Sequence, residues 1–205
     1  MRGFSRWRFG AGSRFAVLFS ALAFAAVAIV PSPAAARRHV RRAAGSCPYA
    51  RTPANGAPVS GLRAAVVCLV NRARAAHGLP SLHASRRLDR SAQGWTNAMV
   101  EGNFFSHGSN FAARISAVGF NWASAGENIA TGYSTPRQVV NGWMASFGHC
   151  QNILNPSFRS IGTGIRWRGL RGYGTGPGTW TEDFALPMGQ HPMSGNYGPM
   201  SHCPY

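Results

Sequence analysis

F-F-S-H at residues 104–107, G-E-N-I at 126–129 and W-M-A-S-F-G-H-C-Q-N-I-L at 143–154 are the stretch on which the reading of this chain turns. Two histidines, His107 and His149, bracket one glutamate, Glu127, amid apolar anchors. Acids are scarce: Asp89, Glu101, Glu127, Glu182 and Asp183 are the five in the whole chain. One of them set between Gly126 and Asn128-Ile129 is placed rather than scattered. Two imidazoles and a carboxylate are ligands for a first-row metal, or a proton-handling set. The plainer reading is a hydrogen-bond network in the core, with Glu127 capping a turn or helix end through backbone N–H groups.

Outward from this stretch, the apolar period is helical first. Residues 60–78 predict a helix with Ser60 as N-cap and Gly78 as stop. Leu62, Ala65, Val66, Leu69 and Val70 mark its core face, with Arg63, Arg72 and Arg74 on wetter faces and His77 near the negative end of the dipole. Residues 85–102 predict a second helix, with Leu88, Ala92, Trp95 and Met99 inward and Asp89, Arg90, Gln93 and Asn97 outward. Asn110 caps a short third helix that Gly119 ends. Residues 120–131 read as a short extended piece followed by a turn carrying G-E-N-I. Thr135-Pro136 opens a fourth helix, which ends near Phe147-Gly148 and presents His149.

Beyond residue 160 the period changes to two. Ile161, Thr163 and Ile165 alternate with Gly162, Gly164 and Arg166, and Trp180, Glu182 and Phe184 with Thr181, Asp183 and Ala185. An antiparallel hairpin around the Gly-rich loop 169–178 follows. Helices first and strands later make the fold class α+β.

The basic residues are 21 Arg and no Lys, giving a net charge of +16. An Arg-rich exterior associates with anionic polymers and membranes. No nucleic-acid fingerprint accompanies it: there is no zinc-finger spacing, aromatic RNA-binding motif or helix-turn-helix. Residues 1–36 read as a cleaved signal peptide: Arg2, Arg6, Arg8 and Arg14, an apolar run over 15–30, then Ala34-Ala35-Ala36. The alternative is a retained anchor, for which the run is short. Cleavage removes four of 21 Arg and leaves a charge near +12. The expected location is outside the cell.

Export places four cysteines in an oxidising space. Three connectivities are open. The preferred one is Cys47–Cys68, tying the N-terminal arm to the first helix, with Cys150–Cys203 tying the tail beside His149. A Cys/His zinc site lacks any C-x-x-C pair. Residues 37–58 read as a linker whose cluster Arg37, Arg38, Arg41 and Arg42 can dock on anionic wall polymers or lipid headgroups, or be a solvated tail. The tail 187–205 carries Met188, His191, Met193, Met200 and His202, too irregular for a soft-metal tract.

The order of motifs resembles the CAP superfamily of cysteine-rich secretory, antigen 5 and pathogenesis-related proteins, in its bacterial secreted branch. The residues that carry it are C-L-V-N-R-A-R-A-A-H-G-L-P-S-L at 68–82, N-F-F-S-H at 103–107, G-E-N-I-A at 126–130, the 143–154 motif and F-R-S-I-G-T-G at 158–164. The resemblance spans residues 62–186 and implies a three-layer α-β-α sandwich over a small, mostly antiparallel sheet. It implies a central cleft with His107, Glu127 and His149, able to hold a divalent ion, zinc first. The family's second acid falls where Ser146 stands, and Glu182 is a candidate to reach the cleft from a strand.

The resemblance implies a binding module for sterols, lipids, glycans or partner proteins outside the cell, rather than a shared enzymatic activity. We therefore expect a secreted, monomeric binding module whose cleft carries His107, Glu127, His149 and Ser146. Two alternatives stand beside it. A metal-assisted hydrolase of envelope polymers would use Glu127 as base on metal-bound water. An electrostatic wall-associated protein would bind through charge alone. A Ser146–His149 hydrolase lacks G-x-S-x-G and an orienting acid.

Overall fold

The computed structural model describes residues 46–192 and 198–204. The expected signal peptide and the Arg37–Arg42 cluster lie outside the described residues, as does Met193. Within them the order is α1 (Val59–Ala76), β1 (His83–Ala84), α2 (Arg86–Gly102), α3 (Phe111–Ala117), β2 (Trp122–Thr131), α4 (Pro136–Met144), α5 (Phe147–Ile153), β3 (Ser160–Arg166) and β4 (Thr179–Pro187). A short 3-10 turn, Gly198–His202, precedes Cys203. The sheet runs β1-β3-β4-β2. Only the β1–β3 pair is parallel. No helix among the described residues is long and apolar enough to cross a membrane.

Period-two alternation gives the sheet two apolar faces, and helices cover both. One face presents Ile161, Ile165, Trp180 and Phe184 to the core beneath α1, α4 and α5, with Leu62, Val66, Trp143 and Ile153. The other presents Ala185 and Ile129 to α2 and α3, through Leu88, Met99 and Ile115. This is the expected α+β sandwich of three layers.

The seat of α2 is written in Gly162 and Gly164. A Cβ on Gly162 would stand 2.2 Å from the Leu88 carbonyl carbon, and one on Gly164 2.3 Å from the Ala92 oxygen. Such an approach lets α2 side chains bond the free edge of β3. Asp89 Oδ1 accepts from the Thr163 N–H, and Gln93 bonds both the N–H and the carbonyl of Ile165. Asp89 and Gln93 therefore do not face out: they satisfy strand-edge groups that would otherwise invite another strand. Asn97 joins them through Gln93 and Arg166.

Several local expectations are corrected. α1 starts at Val59 after Pro58, not from a Ser60 cap. Arg74 is fully buried rather than wet. Its guanidinium donates to the carbonyls of Pro80, Ile153 and Asn155, so the carbonyl-rich end of α5 holds it. Burial, helped by the charge of Arg159, lowers its pKa to about 10. G-E-N-I lies within the ten-residue strand β2, not in a turn. The fourth helix ends at Met144, and a separate helix, α5, carries His149. Asn110 and Thr135 cap their helices as expected, Thr135 with Gln138 in a reciprocal capping box, and Ser85 caps α2 by accepting from the Leu88 N–H.

Both preferred disulfides are present, Cys47–Cys68 and Cys150–Cys203. The arm at 47–58 packs rather than trailing: Cys47, Ala50 and Ala54 are buried, and Ala54 N–H and Arg137 N–H donate to the carbonyls of Ser134 and Ala50. We expect Gly162→Ala to cost about 3 kcal/mol, since the clash is with helix backbone. Chemical denaturation checks this, and a loss well under 1 kcal/mol would refute the helix-seat reading.

Candidate functional site

β2 is an edge strand, and the candidate residues reach it from both sides. Alternation sends Glu127 toward the α2–α3 layer and Asn128 toward α5. Gly126 is the close-approach position: a Cβ there would stand 2.7 Å from the Asn152 side-chain oxygen and 3.0 Å from Phe158. Asn152 uses that space to donate to the Glu127 carbonyl and the Asn128 side chain. Asn128 in turn donates to the His149 carbonyl and Glu182. The two asparagines thus dock α5, and His149 with it, on the strand.

Glu127 is buried and its carboxylate has two partners. Nδ1–H of His107 donates to Oε1 at 2.8 Å, and Nη2 of Arg114 donates to Oε2 at 2.5 Å. A carboxylate only accepts, so the His107 proton sits on Nδ1. The side chain of His107 is 47% exposed against 1% for Glu127, so solvent reaches this pair from the imidazole side. Arg114 also donates to the His107 carbonyl, and its guanidinium lies 3.7 Å over the Trp95 ring. The sequence reading missed Arg114. The available signal was one of charge: a buried acid needs a cation, and the adjoining short helix carries an arginine.

His107 and Glu127 therefore meet as expected, whereas the His149 imidazole makes no hydrogen bond to Glu127. It lines a separate hollow of about 380 Å³, with Ser146, Phe105, Ile129, Tyr133, Trp143 and Tyr173. The Gly-rich loop supplies Tyr173, held over the end of β2 by the close approach of Gly174 and Gly176 to Gly132. Burial, then the charge of His107, holds the His149 pKa below the ordinary imidazole value. Ser146 stands at the N-cap of α5 without a side-chain capping bond.

A divalent metal on His107, Glu127 and His149 does not fit this arrangement. Both Glu127 oxygens are engaged, one by a permanent cation. Among the described residues no three His, Cys, Asp or Glu side chains are grouped to hold a metal ion.

Glu182 does not reach the cleft. It is buried on the central strand β4, bonded to Asn128. Burial raises its pKa to about 8, with the neighbouring Asp183 adding to the shift and Asn128 opposing it. Asp183, opposite Glu127 in register, is likewise raised to about 8, chiefly by burial. The Glu127 charge reinforces that rise, and Ser91 and Arg114 oppose it.

Two outcomes follow from these charges. Folded-state pKa values raised above the unfolded ones mean the folded state holds more protons. The stability that Glu182 and Asp183 contribute is then fully present below the unfolded pKa of about 4, is lost as pH rises, and is gone above about 8. Glu182→Gln is expected to flatten that decline in thermal unfolding across this window. An unaltered slope would contradict the assignment. Arg114→Gln, which leaves Glu127 without its cation, is expected to cost about 2 kcal/mol, discounted for partial exposure. Arg114→Lys recovers only part, because the fork and the stacking on Trp95 are lost. Equal stability of all three forms would refute the role of the pair.

The family profile for the cysteine-rich secretory protein family, CAP, matches residues 67–181. YkwD, an uncharacterized protein of Bacillus subtilis, is 38% identical over 131 residues, 62% of this chain and 48% of that protein. The uncharacterized membrane protein YlbC of the same organism is 33% identical over 104 residues, 49% of this chain and 30% of its own length. This chain thus spans under half the length of either relative. Among solved structures, an extracellular protein containing a SCP domain from Bacillus anthracis is 28% identical with a TM-score of 0.53, over 62% of this chain and 40% of that one. A cysteine-rich secretory protein from Staphylococcus aureus, 15% identical at TM-score 0.53 over 63% of this chain and 40% of its own, shares the fold. The chain belongs to the CAP, or cysteine-rich secretory protein, family.

Proposed function

We propose that this chain is a secreted binding module that takes a small, largely apolar ligand in the hollow beside His149. The observation that carries the reading is the hollow itself. At about 380 Å³ it lies in the size range of small-molecule sites and is walled by Phe105, Ile129, Tyr133, Trp143 and Tyr173. Its polar groups are few, as such sites require: the Ser146 hydroxyl and the neutral His149 imidazole can fix one hydroxyl or carbonyl of the ligand. The extracellular description of the Bacillus anthracis protein supports placement outside the cell. Glu127 then acts as a structural anchor, committed to Arg114 and His107, and not as a base or metal ligand.

The test is titration of the full chain with N-phenyl-1-naphthylamine, a neutral apolar fluorophore. Wild type is expected to bind saturably at one site. Ser146→Phe, which fills the hollow from an uncommitted N-cap, is expected to weaken binding at least about tenfold, the cost of displacing an apolar group from its pocket. Equal binding in both forms, or none in wild type, overturns the reading. Zinc calorimetry separates the alternatives. Heat that disappears in His107→Ala His149→Ala would favour a metal site, and chelator-sensitive breakdown of envelope polymers a hydrolase.

A further inference from the structure

A second hollow, of about 420 Å³, lies between residues 46–52, α1 and α4. Three arginines line it: Arg51 from the packed arm, Arg72 from α1 and Arg137 from the first turn of α4. Ser46, Thr52 and Tyr49 complete its polar rim. None of the chain's five acids lines it. Three of those acids, Glu127, Glu182 and Asp183, are buried in the sheet, and Asp89 lies beside Arg63.

The guanidiniums here are uncommitted. Arg63, Arg74, Arg114, Arg159 and Arg166 all donate to other protein groups, whereas no side-chain hydrogen bond or ion pair among the described residues holds Arg51, Arg72 or Arg137. Arg137 stands only half-exposed, with its Nε buried and without a partner. The walls are fixed in advance. The Cys47–Cys68 disulfide joins the arm to α1, and the Arg137 N–H to Ala50 bond joins it to α4. The N-terminal amides of α4 are occupied by Ala50 and Thr135, so the free donors are side chains.

We propose that this hollow is an anion site that takes a phosphate group carried on a polyanionic polymer. Three forks match a tetrahedral group with several free oxygens better than a planar carboxylate with two. A polymer is favoured over a lipid headgroup because the lining offers no apolar run to enter a bilayer. The site is independent of the hollow beside His149.

The full chain is tested by calorimetry at constant ionic strength against linear polyphosphate, inorganic phosphate and phosphatidylglycerol vesicles. Wild type is expected to bind polyphosphate more tightly than the free ion. Arg72→Gln Arg137→Gln is expected to lose at least about tenfold, two charge-assisted contacts being removed. Arg166→Gln Arg171→Gln, with the same change in net charge, is expected to lose less than about twofold, the screened contribution of distant surface charge. Unfolding temperatures confirm that both variants fold, and Arg51→Gln serves as a milder third variant. Equal losses in the two double variants, no binding by wild type, or specific loss confined to vesicles would each overturn the proposal.

Discussion

A carboxylate drawn out of water must find a cation or keep its proton, and this sheet confronts that constraint three times. Glu127, Glu182 and Asp183 are all buried, in a chain with only five acids. Glu127 takes the cation, Arg114, and an imidazole proton beside it. Glu182 and Asp183 have no ion pair among the described residues, and burial raises both toward the neutral acid. One guanidinium serves the group nearest solvent, and protonation serves the two on the central strand.

That division arranges the rest. Arg114 anchors α3 to β2 and covers the Trp95 face of α2, so the helical layer on one side of the sheet is fixed by the ion pair. On the other side Asn128 and Asn152 perform the same task with neutral amides and bring α5 to the strand. His107 and His149 arrive from opposite layers at the edge strand. The first is bound to Glu127, and the second is left facing the apolar hollow. Arg74 repeats the principle without an acid, its charge met by three carbonyl dipoles.

Much of this was legible in the residues. The caps Asn110 and Thr135 and the alternation over 161–165 and 180–185 follow from local chemistry and spacing, and the preferred of three open cysteine pairings is the one present. What escaped has a common cause. G-E-N-I resembles a turn because Gly and Asn dominate turns. Here Gly126 is needed for the approach of Asn152, and Asn128 is buried by tertiary bonds. Arg74, Asp89 and Gln93 read as solvent-facing by helical period, yet each is spent on backbone groups from distant segments. Arg114 carried no motif at all. Its role exists only once β2 and α3 are side by side.

Glu127 is committed to Arg114 and His107, which leaves His149 free for the hollow. Side-chain nitrogen NMR of the full chain, with and without zinc, tests it most directly. The expected result is a resolved, slowly exchanging Arg114 guanidinium and His107 Nδ1–H, both unchanged by zinc. Guanidinium signals averaged with solvent, or a His107 resonance that zinc displaces together with His149, would contradict it.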